Sequence, residues 1–113
     1  MTPLADLQTM FDNMRSQTTW NVDGSLLWGY FFFDPGPDKL RTLAAELEKS
    51  SYVLANLYLS DDESTHILHV EKIEMHSPQT LFARNEALQN LATQFGVASY
   101  DGMDVGPVDA ANF

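Results

Sequence analysis

The residues with most chemistry in the sequence cluster near its end, where Tyr100, Asp101, Gly102 and Asp104 stand within five positions. An Asp-Gly pair builds a turn or bulge, because glycine adopts backbone angles other residues avoid. In that role Asp101 accepts backbone N–H bonds while Tyr100 packs and its hydroxyl finds a partner. The same residues can also form part of an acidic contact surface. His69 and Glu71 lie two apart on a strand and so share one face, where a metal or a proton could be exchanged. A catalytic zinc takes three protein ligands, and spacing brings no second histidine there: His66 points to the opposite side. His76, beside a helix cap, is expected at the surface. Asp61, Asp62 and Glu63 make a like-charged loop that is either solvated or one lobe of a surface for arginines. Spacing marks no nucleophile–base pair and no phosphate-binding glycine loop.

These groups need elements to hold them. Leu4, Leu7, Phe11 and Met14 form one stripe of a helix over about residues 3–16. "SLLWGYFFF" reads as a strand with both faces covered, hence central. Trp28 and Tyr30 share one of its faces with Leu26 and Phe32. After the Pro35-Gly36-Pro37 break, with Pro37 suited to a first helical turn, Leu40, Leu43, Ala44 and Leu47 mark a second helix. "YVLANLYLS" returns to period two and suits a sheet edge. "HILHVEKIEM" is its hairpin partner. Ser77-Pro78 caps a third helix with the stripe Leu81, Leu88, Leu91, Ala92 and Phe95. Gly96 ends it, and "VASYDGMDV" is the last strand.

A leading helix followed by βαββαβ predicts an α+β fold of ferredoxin-like type, with one four-stranded antiparallel sheet. Right-handed crossovers place the first and third strands in the middle. With 113 residues, one domain spanning 1–113 is expected, its core at about 24–108.

Composition narrows the function. There is no cysteine, which excludes disulfides, thiolate nucleophiles and thiolate metal sites. No apolar run approaches the roughly 20 residues of a membrane span, and the start does not read as a signal peptide. A cytoplasmic protein without membrane contact is expected. Sixteen carboxylates against six Lys and Arg give a formal net charge of −10. Such a chain repels nucleic-acid phosphates and attracts cationic polypeptides. Trp28 and Tyr30 raise an RNA-binding sheet, but the basic setting and signature run of that module are absent.

The segment "LHVEKIEMHSPQTLFARNEALQNLATQFGVASYDGMDVG" resembles the regulator of ribonuclease E activity B family. Leu91, Ala92 and Phe95 match its helix end, and Tyr100, Asp101 and Gly102 its Tyr-Asp-Gly-Trp motif, with Met103 in place of Trp. The resemblance implies a protein inhibitor of ribonuclease E that binds the enzyme's basic scaffold portion and is not itself an enzyme. The resulting expectation is an acidic protein-binding regulator without cofactor or metal. Its contacts would be Asp61, Asp62, Glu71, Glu74, Asp101 and Asp104 as acids, with Trp28, Tyr30 and Tyr100 as apolar anchors and Gly102 in the loop. The rival readings are a small-molecule or metal-dependent enzyme using His69, Glu71 and Asp101, and a self-associating domain.

Overall fold

The computed structural model describes residues 2–108; Met1 and residues 109–113, which fall within the expected domain, lie outside the described residues. The elements run α1 (Leu4–Gln17), β1 (Leu26–Asp34), α2 (Asp38–Glu48), β2 (Val53–Leu59), β3 (His66–Glu74), α3 (Pro78–Gln94) and β4 (Ser99–Gly106). The four strands form one antiparallel sheet in the order β2-β3-β1-β4. This is the expected ferredoxin-like arrangement, with the first and third strands central.

Local chemistry sets the boundaries. Ser77 and Thr80 cap α3 reciprocally: Thr80 N–H donates to Ser77 Oγ at 3.2 Å and Ser77 N–H to Thr80 Oγ1 at 2.8 Å. The helix ends where Gly96 takes φ +70°. There the N–H of Val97 donates to Ala92 O and that of Gly96 to Thr93 O, satisfying carbonyls that would otherwise be orphaned. Pro37 stands one residue before α2, as its capping position.

The side chains of β1 divide the molecule. Leu26, Trp28, Tyr30 and Phe32 point to one side and are buried with Leu40, Leu43 and Leu47 of α2 and Leu81, Leu88 and Ala92 of α3. The leading helix joins this same layer: Leu7 and Phe11 are buried, and the Phe11 ring stacks on Trp28 at 5.9 Å between centroids. All three helices therefore lie on one face of the sheet. The opposite face displays Phe31 and Phe33 of β1, Ile67, His69, Glu71 and Ile73 of β3, and Asp104 of β4, none of them part of the core.

Strand β3 carries polar residues at a central position because of this one-sidedness. Leu68 and Val70 face the helices and are fully buried, while His69 and Glu71 face the open side. Lys72 and Glu74 return to the helical side beyond the apolar core. In β2, the edge strand, the register shifts between Leu54 and Asn56, so the expected strict alternation breaks there.

Docking of α1 depends on Phe11. Replacing Phe11 with Ala should lower stability by about 3–5 kcal/mol, read as a fall in urea midpoint, because the cavity opens directly against Trp28.

Candidate functional site

The Tyr100-Asp101-Gly102 segment is a β-bulge. Phe32 pairs with Tyr100 but Phe31 pairs with Gly102, so Asp101 is the extra residue. Gly102 takes φ +116°, an angle only glycine adopts without strain. Tyr100 turns into the core, where its ring meets Phe32 and its hydroxyl donates to Asn85 Oδ1 at 2.6 Å. Burial pushes that hydroxyl above the usual tyrosine range, keeping it a neutral donor. Asp101 is exposed. The extra residue reverses the parity of everything after it: Met103 and Val105 face the helices, and Asp104 faces the open side opposite Gly29. A cleft of about 310 Å³ lies between this segment and the start of α1, lined by Pro3, Asp6, Asn85, Tyr100 and Asp101.

Several expected contact residues are instead internal. Trp28 and Tyr30 are fully buried. A strand apolar on both faces does not reveal which face meets the helices, and the aromatic side chains offered outward are Phe31 and Phe33. Tyr100 is buried as well, so none of the three anchors is displayed.

Glu74 is the second correction. It faces the helical layer and accepts from Tyr30 Oη at 2.6 Å, with His76 Nε2 3.0 Å away. Arg84 Nη1 donates to both of its oxygens, at 2.9 and 2.7 Å, and to Tyr52 Oη at 2.8 Å. Burial alone would raise the Glu74 carboxyl. Hydrogen bonds from His76, Tyr30 and Arg84, together with the Arg84 charge, outweigh it and hold the group down at about 2. Burial and the adjacent carboxylate push the Tyr30 hydroxyl far up. His76, expected at the surface, is buried between Glu74 and Thr80 with its ring edge-on to Trp28 at 5.2 Å.

The remaining acids stay outward. Glu71 and Asp104 flank Gly29 on the uncovered face. Asp61 and Asp62 sit in the β2–β3 hairpin, far along the sheet from them. Asp62 is spent on its own turn: Ser60 Oγ and Ser64 Oγ donate to it at 2.7 Å and Ser64 N–H at 3.0 Å. These bonds hold its carboxyl at about 2. His69 stacks on Phe31 at 4.3 Å and 12°. No group of three His, Asp or Glu able to hold a metal occurs among the described residues.

Sequence reasoning missed Asn85 and Arg84. Asn85 lies at i+4 from Leu81 and three before Leu88, so its place on the α3 stripe was legible; its partners, Tyr100 and Met103, were not.

The chain matches the family described as Regulator of ribonuclease activity B over residues 5–105. It belongs to that family. None of the curated proteins compared with it matches. The family description makes the chain one of the regulators of ribonuclease activity, which implies a protein partner. Among the described residues no helix is long and apolar enough to cross a membrane.

The Glu74 cluster sets a pH dependence. Its folded pKa lies below the ordinary glutamate value of 4.5, so the ion pair contributes fully above about pH 4.5 and is lost as pH falls towards 2. Denaturant titrations across that window should show falling stability. Glu74→Gln should flatten this slope, leaving the part that the Asp62 turn contributes in the same window, and cost about 2–3 kcal/mol at pH 7.

Proposed function

We propose that the protein is a non-catalytic, cytoplasmic regulator that binds and inhibits ribonuclease E, or a comparable ribonuclease, through a basic segment of the enzyme. On this reading residues 1–113 act as one regulator domain. Membership of a family of ribonuclease regulators supports the class of partner, and the net charge of −10 supports its sign.

The observation that carries the reading is that the cations all stand on the helical side of the sheet, most of them paired there with acids of that side, while the acids of the other side have no cation among them. Five of the six Lys and Arg belong to the helical layer: Arg15 in α1, Lys39 and Arg41 in α2, Lys49 just beyond it, and Arg84 in α3. Lys72 turns to the same layer, with Nζ donating to Ser50 O at 2.9 Å and lying over the Tyr52 ring. The uncovered face has Glu71 and Asp104, with Asp101 at its bulged edge, and no Lys or Arg. None of these three, nor Asp61 or Asp62, pairs with a cation among the described residues. Phe31, Phe33 and Ile67 lie half-buried between them, and Tyr58 and Ile73 are exposed.

A surface of this kind attracts a basic polypeptide at long range and holds it by apolar contact. The anchors are Phe31 and Phe33, on the face of β1 opposite to Trp28 and Tyr30. Glu74 leaves the contact set because Arg84 already neutralises it.

Binding to the basic, non-catalytic portion of the ribonuclease should weaken several-fold as salt rises from about 0.05 to 0.5 M, since the Debye length shrinks from above 10 Å to below 5 Å. Calorimetry over a salt series measures this. An affinity indifferent to salt, or an unchanged rate of RNA cleavage with saturating protein present, refutes the reading.

A further inference from the structure

The centre of the uncovered face brings two carboxylates and an imidazole around a glycine. Glu71, Gly29 and Asp104 form one row across β3, β1 and β4. With neighbouring strands about 4.8 Å apart, the two acidic residues stand roughly 10 Å apart across a residue without a side chain. One row along, His69 lies flat on Phe31, and its Nε2 is buried with no hydrogen-bond partner. Buried polar atoms left in that condition are rare and call for a reason.

His69 Nε2 and Asp104 Oδ1 both lean in over Gly29. A Cβ at that position would run into Asp104 Oδ1 and stand 2.7 Å from His69 Nε2. A carboxylate oxygen accepts hydrogen bonds, and an imidazole nitrogen accepts in one tautomer and donates in the other. With the proton on Nδ1, His69 adds its Nε2 to the two carboxylates as an acceptor around the glycine, and no Lys or Arg stands among them. The complementary group is cationic and carries several N–H donors. A guanidinium fits better than an ammonium, because its planar fork reaches separate acceptors and its face stacks on aromatic rings such as Phe31.

We propose that the Gly29 row of the uncovered sheet face receives one arginine side chain from an extended basic segment of the partner, held by Asp104, Glu71 and His69 beside Phe31. The inference rests on the reading above, that the partner is basic, and adds the seat and the residue type. Asp104 is exposed, so rotation of its side chain opens the way to His69 Nε2. Phe33 and Ile67, paired further along the same face, give the rest of the segment an apolar bed.

The decisive variant is Gly29→Ala, which alters the seat without altering any charge. Gly29 is not in the left-handed region, and both atoms the new methyl meets are ends of side chains that can move aside. Fluorescence anisotropy would follow a labelled peptide of alternating arginine and serine, with a lysine-serine peptide beside it. Gly29→Ala should weaken the arginine peptide about tenfold and the lysine peptide less, with the salt dependence of binding retained. His69→Phe, which keeps the stack on Phe31 but removes the acceptor, should act in the same direction and decides the matter should Gly29→Ala not fold. Wild-type affinity in the folded variants, with salt-sensitive binding still present, overturns the arginine seat: the acids would then act as a diffuse field, or His69 and Asp104 would serve only each other. That result leaves the proposed function standing. Failure of the wild-type protein to bind either peptide at any salt concentration removes the basic partner and the seat together.

Discussion

The docking of α1 on the side of the sheet already occupied by α2 and α3 governs the surface of this molecule. A four-stranded sheet has two faces and this chain has three helices, so α1 had a free face available. It goes instead beside α3, because Trp28 projects into the helical layer and needs more cover than α2 and α3 supply. Phe11 provides that cover by stacking on the indole. Trp28 and Phe11 are almost completely buried as a result, and aromatic area on this scale is a large part of a small core. The consequence is a sheet with one dry side and one wet side.

Charge follows from the same asymmetry. Glu74 enters the helical layer at the end of β3, where a lone carboxylate would be expensive. Arg84, Tyr30 and His76 surround it, and Lys72 swings over Tyr52 to the same side. The network joins the end of β3 to α3 and takes in His76, the second residue after the strand. It also holds two of the few cations on the helical side. Glu71 and Asp104, on the other side, are left without internal partners. The negative face is thus a by-product of how the core satisfies its own buried acid, as well as of the overall excess of carboxylates.

Much of the fold was legible in the sequence, because each element carried its own period and punctuation. Ser77-Pro78 and Gly96 bracket α3, and the leucine spacing in α2 admits no other reading. The site was legible only in part. Asp101, Asp104 and Glu71 are outward, as expected of strand and bulge acids. Trp28 and Tyr30 failed as contacts because "LLWGYFFF" is apolar at every position but one, and period two cannot assign a side where both sides are apolar. Glu74 failed because an acid in a period-two strand looks solvated until its distant partner is known, and Arg84 lies ten residues on, in the next helix. His76 failed for the same reason. Packing between elements decided these cases, and no local pattern encodes it.

The Tyr-Asp-Gly segment acquires a physical role from this geometry that its composition left open between loop and contact. Were the same residues paired regularly, without the bulge, β4 would present Met103 to the wet side and turn Asp104 towards Trp28, burying a carboxylate beside an indole. With it, Tyr100 reaches Asn85, Met103 and Val105 complete the core, and Asp104 meets Gly29 in the open. Glycine at 102 is what the backbone angle requires, and aspartate at 101 tolerates solvent where the strand bulges. The three residues therefore act less as a contact than as a device that sets the parity of the final strand. Glycine at 29 is the matching half: a strand interior disfavours it, yet only a residue without a side chain lets Asp104 and His69 approach across β1. The bulge in one strand and the gap in its neighbour are two parts of one arrangement, which brings polar groups together at the centre of an otherwise apolar surface.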